Sequence, residues 1–334
     1  MRLVTFEVGS ERRIGALDHE DVVVDLTLAR EAQLDAQGRP SAGTGVAEQI
    51  PPDMLRFLRL GAPALSAARE AFEHVRDTGV SEISGRRVRH EHGSVRLLSP
   101  LPRPNSLRDY MVVEEHVKNA LKHVPDEWYN MPVYYKGNVD EVYGPDDVVP
   151  WPAYTDKLDY ELEICAVVGR AGRRIPAEDA AQHIAGYTIF NDWSARDIQL
   201  REMSVGIGPG LGKDFASSFG PCIATPDEFD RDNARLEARI DAEVWSSGVL
   251  GKMHFSFEEI IEWTSQEQTL HPGDLLGSGT VGRGCGFELD RWLTEGCTVE
   301  LSAEGIGVLR NRVGFKGQGT TLPAETAEQG RVDG

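Results

Sequence analysis

One segment constrains the fold more than any other, because it carries acidic side chains at alternating positions and then turns apolar. It reads DYELEICAVVG over residues 159–169. Side chains two apart on a strand point to the same face, so we predict that Glu161 and Glu163 project side by side. Two carboxylates held that close repel each other unless a proton or a cation lies between them. With Asp192 they would form an oxygen-rich site for Mg²⁺ or Mn²⁺, with Ca²⁺ as an alternative.

The composition narrows the classes of partner. With 334 residues and a formal net charge of −19, the chain is not attracted to nucleic acid or to anionic membrane. Its N-terminus lacks a signal-peptide apolar stretch, and no run approaches the roughly 18 apolar residues of a membrane span. The cysteines show no CxxC spacing, which is typical of buried thiols in a reducing compartment. We therefore expect a soluble, cytoplasmic protein that binds neither nucleic acid nor membrane.

Turn and proline signals divide the chain. Short β-like pieces fill residues 1–27, and a helical pattern interrupted near Gly61 and Pro63 covers residues 52–76. Residues 31–50 are predicted to be a loop, and whether it covers a site stays open. The segment SPLPRPN at 99–105 is the predicted boundary, since its prolines continue neither element. We predict a small β-rich N-terminal domain with helices at 1–100, a catalytic domain at 101–318 and a disordered tail at 319–334.

Residues 109–124 show apolar side chains at helical spacing. On such a helix Asp109 and His116 would share one face, about 10 Å apart. They could then stand at opposite ends of a site, with the Asp on a metal and the imidazole as a general base. The alternative is an Asp favoured by the helix dipole and a partly buried structural His. Spacing alone favours the alternative.

Asp192, Arg196 and Gln199 fall on one stripe of another predicted helix. Asp192 would either bind metal while the other two donate to an oxyanion, or serve as an N-cap beside an exposed ion pair. A glycine-rich loop that ends in Lys213 lacks the GxxxxGK[ST] spacing of a phosphate-binding loop. It could present an ammonium group to an anion, or be an ordinary flexible surface loop.

Taken in order, these pieces resemble the fumarylacetoacetate hydrolase family over roughly residues 100–316. The piece NDWSARDIQ at 191–199, which follows the DYELE strand, is highly specific. The other matching pieces are RDY at 108–110 with His116, WYNMPVYYKG at 128–137, Gly212-Lys213, and GSGT at 277–280 with Glu288.

The resemblance implies a mixed α+β, mostly β fold, in which a β-roll catalytic domain follows a small N-terminal β domain. It implies a divalent metal held by Asp109, Glu161, Glu163 and Asp192. It also implies that His116, oriented by Glu288, activates a water. Further side chains would stabilise the oxyanion and the enolate leaving group (Arg196, Gln199 and Lys213) or bind substrate (Tyr135, Lys136 and Thr280). Family members commonly form homodimers, so we expect one here.

Three features depart from the fullest family pattern. Met111 and Met203 stand where the resemblance leads us to expect substrate-binding Tyr residues, and no Arg equivalent for a distal carboxylate is found near Pro125. Loss of these polar contacts should weaken binding of a dicarboxylate, and two Met side chains favour an apolar tail.

Three hypotheses follow. The first is a metal-dependent hydrolase that cleaves a carbon–carbon bond in a β-diketo acid of the acylpyruvate or fumarylacetoacetate type, with the metal on the α-keto acid end as a Lewis acid. The second is a metal-dependent decarboxylase, isomerase or hydratase of a related keto acid, since fold-level likeness cannot choose among these reactions. The third is a non-catalytic binding paralogue. The polar catalytic positions are all filled, which argues against the third hypothesis. Because both His116 and Glu288 are present, we expect hydrolysis of a small keto-acid substrate.

Overall fold

The structure is a computed structural model that describes residues 1–19, 22–39, 45–121 and 123–318. The predicted tail at 319–334 lies outside the described residues, and so does the middle of the predicted loop at 31–50.

Strands dominate the described chain. They are β1 (Arg2–Val8), β2 (Glu11–Asp18), β3 (Val22–Asp25), β4 (Glu82–Ile83), β5 (Arg86–Arg87), β6 (Arg89–Glu91), β7 (Arg96–Leu98), β8 (Ser106–Tyr110), β9 (Tyr134–Gly137), β10 (Val142–Tyr143), β11 (Val148–Trp151), β12 (Leu158–Asp159), β13 (Leu162–Val168), β14 (Ile184–Asn191), β15 (Ser194–Ala195), β16 (Ser217–Ala224), β17 (Arg235–Ile240), β18 (Glu243–Val249), β19 (Asp274–Gly277), β20 (Thr298–Ala303) and β21 (Gly307–Lys316). The predicted mostly β fold is confirmed.

The helices are shorter and lie between the strands. They are α1 (Leu26–Ala36), α2 (Val46–Gln49), α3 (Met54–Leu60), α4 (Ala62–Thr78), α5 (Glu114–Leu121), α6 (Ala177–Ala180), α7 (Arg196–Met203), α8 (Phe257–Ser265) and α9 (Gly286–Leu289). Short 3-10 turns occupy His92–Ser94, Asp126–Tyr129, Ala181–His183 and Leu250–Lys252. In the described residues no helix is long and apolar enough to cross a membrane.

The predictions for residues 1–76 are confirmed in part. The three β-like pieces form β1, β2 and β3, and the interrupted helical pattern forms α3 and α4 with Gly61 between them. The loop predicted at 31–50 is wrong over much of its length, because α1 runs to Ala36 and α2 covers Val46–Gln49. Asp25 caps α1 by accepting from the Leu28 N–H, and Leu28 and Ala29 are buried. Both features stabilise the helix at the start of this segment.

Two sheets face each other across the main core. The larger runs β6-β3-β2-β1-β16-β14-β13-β19-β8-β9, with β7 and β10 attached to its path, and the smaller runs β11-β21-β20-β17-β18. One face of the larger sheet packs on the smaller sheet through residues such as Ile164, Ala166 and Leu301. Its other face packs on α1, α3 and α4 through Leu3, Val167 and others.

The N-terminal strands join the same sheet as the strands that carry the candidate site. In particular, β1 pairs with β16 through Arg2↔Ala224 and Leu3↔Ile223. The division at residue 100 therefore stays a prediction about domains, since the backbone hydrogen bonds of one sheet cross it.

Candidate metal and catalytic site

Four carboxylates meet at one place in the larger sheet and form a group that we call the acidic cluster: Asp109, Glu161, Glu163 and Asp192. Each is buried, and one ligand atom from each lies within 4.8 Å of the others. Glu163 lies in β13 and Glu161 immediately precedes that strand, and both project into the cluster, as the alternating pattern predicted. Four acidic groups this close and this buried need protons or cations between them.

Asp109 reaches the acidic cluster from a strand. The predicted helix over 109–124 is wrong at its start, because Ser106–Tyr110 is β8 and α5 begins only at Glu114. The reason is long-range pairing of β8 with β19, which places Asp109 opposite Gly277. A Cβ at Gly277 would lie 2.3 Å from Asp109 Oδ1, so this glycine of the GSGT motif lets the carboxylate sit against the sheet.

Asp192 likewise does not begin a helix. It lies between β14 and β15, and α7 starts at Arg196. Its carboxylate accepts the Tyr135 hydroxyl at 2.6 Å, which places Tyr135 at the acidic cluster as expected for a site residue. Thr280 also contacts the cluster, with its hydroxyl 3.3 Å from Glu163 Oε1, while the N–H of Gly279 donates to the other Glu163 oxygen at 3.0 Å.

Two buried cations contact the acidic cluster. Lys213 Nζ donates to Glu161 at 2.6 Å and also to Asp192, and Arg196 Nη2 donates to the second Glu161 oxygen at 2.6 Å. Burial opposes ionisation of Glu161, but Arg196 and Lys213 hold its pKa well below the ordinary value. Burial likewise opposes the charge of Lys213, and Asp192 and Glu161 raise its pKa. This part of the site is a fixed network of charged hydrogen bonds.

The acidic cluster has four carboxylates against the two cations that contact it, Arg196 and Lys213. Burial, together with neighbouring carboxylates, raises the pKa of Asp109 and of Glu163 well above the ordinary values. Burial raises the pKa of Asp192 to about 6, although Lys213 lowers it. Among the residues that the structure describes, Asp109 Oδ1 is buried without a hydrogen-bond partner. An oxygen-only donor set with excess negative charge and a free buried oxygen fits a hard divalent cation.

A histidine and a glutamate near the acidic cluster form a second group, which we call the His–Glu pair. His116 on α5 contacts Glu288 of α9 at 2.7 Å between Nδ1 and Oε1. Asn119 donates to the other Glu288 oxygen at 2.6 Å, and the Arg283 N–H donates to it at 3.0 Å. Burial opposes ionisation of Glu288, but the His116 contact lowers its pKa. With Nδ1 held by a carboxylate, Nε2 is the ring nitrogen left for proton exchange.

His116 and three carboxylates of the acidic cluster, Asp109, Glu161 and Glu163, line a cavity of about 270 Å³. Its lining brings together most of the residues that the sequence singled out: Asp109, His116, Tyr135, Glu161, Glu163, Arg196, Gln199, Lys213 and Thr280. Lys136, the next residue of β9, is exposed and stands outside this lining. A larger cavity of about 1080 Å³ lies beside α3 and α4 and contains none of the acidic cluster.

Two contributors were missed at the sequence level. Asp159 is buried and accepts from Arg196 Nε at 2.8 Å and from the N–H groups of Gly286 and Phe287 at the start of α9. It thereby joins the Arg196 side of the site to the segment that carries Glu288. The alternation of Asp159 with Glu161 and Glu163 was a signal for it. No comparable signal exists for Asn119.

Comparison with known proteins gives consistent results. The family model described as Fumarylacetoacetate (FAA) hydrolase C-terminal matches residues 107–314. The chain is 28% identical over 324 residues to the oxaloacetate tautomerase YisK of Bacillus subtilis, covering 94% of this chain and 100% of that protein. It is 32% identical over 269 residues to the human mitochondrial oxaloacetate tautomerase FAHD2A, covering 79% of this chain and 80% of that one.

Solved structures resemble the fold over nearly the whole chain. A fumarylacetoacetate hydrolase from psychrophilic Exiguobacterium antarcticum superimposes with a TM-score of 0.69 at 25% identity, covering 94% of this chain and 99% of that one. A 5-carboxymethyl-2-hydroxymuconate delta-isomerase from Mycobacterium smegmatis does so with a TM-score of 0.67 at 23% identity, covering 94% and 99%.

Proposed function

This chain belongs to the fumarylacetoacetate hydrolase family, and from that premise we propose that it is a divalent-metal-dependent enzyme that moves a proton next to the keto group of a small 2-keto acid, interconverting its keto and enol forms. The observation that carries the proposal is one pocket lined by His116 and by three carboxylates of the acidic cluster, with Glu288 in contact with His116. Relatives named oxaloacetate tautomerases lead us to place proton transfer ahead of the carbon–carbon hydrolysis that we expected first.

The acidic cluster would hold the metal through Asp109, Glu161, Glu163 and Asp192, with Mg²⁺ or Mn²⁺ as the preferred ions. A divalent cation there would supply Lewis acidity to the keto oxygen of the substrate. The unpartnered Asp109 Oδ1 and the raised pKa of Asp109 and Glu163 support this assignment.

His116 would carry the proton. Glu288 contacts Nδ1 of the ring, and it is itself held by Asn119, so the ring is oriented with Nε2 available. A base held in this way can remove a proton from the carbon beside the keto group and return it. Glu288 would act by orienting the ring and stabilising its protonated form.

The contacts of Lys213, Arg196 and Gln199 support a further part beside the one that the resemblance implies. The Arg196 N–H groups donate to Asp159, Glu161 and the Gln199 amide oxygen. Lys213 donates to Glu161 and Asp192. These contacts support a role in fixing and charge-balancing the acidic cluster, while direct stabilisation of an oxyanion stays a prediction.

A second candidate is hydrolysis of a carbon–carbon bond in an acylpyruvate. The specific observation in its favour is again the His116–Glu288 contact, since an imidazole oriented by a carboxylate can also take a proton from water. The leaving group would be an enolate of the same kind that tautomerisation forms, so one site can serve either reaction.

The test uses chelator-treated protein before and after Mg²⁺ or Mn²⁺ is added, with enol-form oxaloacetate and a short acylpyruvate. Metal-dependent loss of enol absorbance is expected. Proton NMR of the products then separates the two candidates, because ketonisation keeps the carbon skeleton and hydrolysis yields pyruvate and a carboxylic acid or a methyl ketone and oxalate. Absence of any metal-dependent change would overturn the proposal and leave a binding protein.

The homodimer and the cytoplasmic location also stay predictions. Light scattering coupled to size-exclusion chromatography checks the first, and a mass near one chain would contradict it.

A further inference from the structure

The pocket changes character away from the acidic cluster. A group that we call the apolar rim lines its outer part: Met111, Leu121, Val133, Leu200 and Met203. Four of the five are substantially exposed, from 42% for Leu121 to 55% for Leu200. Exposed apolar side chains gathered at the mouth of a polar pocket mark a place where a ligand removes them from water.

Contacts with the rest of the protein hold the apolar rim in place. The Met111 carbonyl accepts from Trp128 Nε1 at 2.6 Å, and Met111 packs against the buried cluster of Val117, Val124 and Trp128. Leu121 lies at the end of α5 and Met203 at the end of α7, so two helices present their ends to the same opening. The rim therefore has a defined shape before any ligand arrives.

Positive charge is confined to the other side of the pocket. Among the described lining residues, the groups that can be cationic are His116, Arg196 and Lys213. Arg196 and Lys213 are paired with carboxylates, and His116 contacts Glu288. A substrate with a second carboxylate at its far end would meet methyl and thioether groups there, on a protein whose net charge is already −19.

We propose that the apolar rim is a subsite for an unbranched alkyl tail, and that the preferred substrate is a monocarboxylic 2,4-dioxo acid with such a tail rather than a dicarboxylate. This inference rests on the proposed function for the head group and adds the chemistry of the far end. Burial of each further methylene by the rim should raise kcat/KM by about fourfold at most, until the tail outgrows the opening.

The experiment measures metal-dependent loss of enol absorbance across 2,4-dioxo acids whose tails lengthen from methyl to pentyl, with oxaloacetate as the dicarboxylate. The variant Met203→Arg places a cation on the rim and should shift the preference toward oxaloacetate by about tenfold. Val205→Arg is the matched control, because Val205 is 75% exposed and lies outside the pocket lining, and it should leave the preference unchanged.

A binding measurement distinguishes failure of the subsite from failure of the proposed function. Calorimetry with metal-loaded protein compares 2-oxooctanoate with 2-oxoglutarate, neither of which has a 4-oxo group, so neither can be cleaved as an acylpyruvate is. Tighter binding of the alkyl acid supports the subsite even if no keto acid is turned over, a result that overturns only the proposed function. Another set of results would overturn the subsite and leave the proposed function standing. In that set the protein turns over oxaloacetate in preference, gains no activity with tail length and binds 2-oxoglutarate more tightly. An equal shift in Val205→Arg would also contradict the role of Met203.

Discussion

The acidic cluster and the apolar rim meet at one pocket but differ in burial and in polarity. The cluster is buried and charged, and its oxygens are tied to Lys213, Arg196, Tyr135 and backbone N–H groups. The rim is largely exposed and apolar, and it comes from α5, from α7 and from the segments that follow β8 and precede β9. Positions in or beside strands hold the groups that need charge balance, whereas helices and connecting segments supply the surface that a substrate tail would cover. Chemistry and selectivity can therefore be changed independently.

The largest expected effect is at the acidic cluster. Glu163→Gln keeps the size of the side chain and removes one carboxylate, so we expect activity to fall by about a thousandfold or more, with Mn²⁺ affinity falling too. Calorimetric Mn²⁺ titration and the enol assay measure both. The control is Glu304→Gln, an exposed acid outside the pocket. Unchanged metal affinity in Glu163→Gln would remove this residue from the ligand set.

The next effect separates the proton-carrying group from the metal site. His116→Ala should lower kcat by about a hundredfold to ten-thousandfold and leave Mn²⁺ affinity nearly intact. His254→Ala is the matched control, since His254 is exposed and stacks on Trp128. Equal losses of activity and metal binding in His116→Ala would contradict the division of roles.

Metal removal should act on stability with a defined pH dependence. The raised pKa of Asp192, about 6, means that the folded metal-free protein keeps a proton that the unfolded chain releases near pH 3.8. The stabilisation that this proton gives to the folded metal-free protein is present below about pH 4 and is lost as the pH rises through about 6. Asp109 and Glu163 shift in the same direction.

A divalent cation replaces those protons, so its benefit should grow over the same range. We expect saturating Mn²⁺ to raise Tm by about 5 °C or more at about pH 7.5 and by clearly less at about pH 5. Scanning calorimetry with and without chelator checks this. A gain of equal size at both pH values would argue against the acidic cluster as the binding site.

The smallest effect tests how the rim is joined to the cluster. Glu202 Oε2 accepts the N–H groups of Gly210 at 2.9 Å and Gly212 at 3.1 Å, which holds the segment that leads to Lys213. Glu202→Ala should raise KM by about threefold with kcat little changed, because the rim side of the pocket loosens first. Steady-state kinetics measure this beside the exposed control Arg201→Ala. A fall in kcat alone would assign the segment to the cluster instead.

Much of the acidic cluster could be predicted from local pattern. Alternation in DYELE places Glu161 and Glu163 on one side of a strand, and the structure agrees. Local pattern failed at Asp109 and Asp192, which were assigned to helices. Both lie at strand ends whose conformation depends on partners far along the chain, such as Gly277 opposite Asp109.

The contact between His116 and Glu288 was even harder to predict from local pattern. His116 and Glu288 are 172 residues apart, and no periodicity links them. Only the resemblance to a family joined them in the sequence, and the fold then brought α5 and α9 together. Burial and charge balance, as at Asp159 and Lys213, also depend on these distant contacts.

The pairing of β1 with β16 has a practical consequence for anyone who shortens the chain. A version that begins near residue 101 would lose β1 and leave the Ile223 side of β16 as an open edge, with its backbone hydrogen-bonding groups unpaired. It would also uncover the apolar face that α1, α3 and α4 now protect. Such a truncation should aggregate on expression, so the first hundred residues protect the sheet beside which the acidic cluster lies.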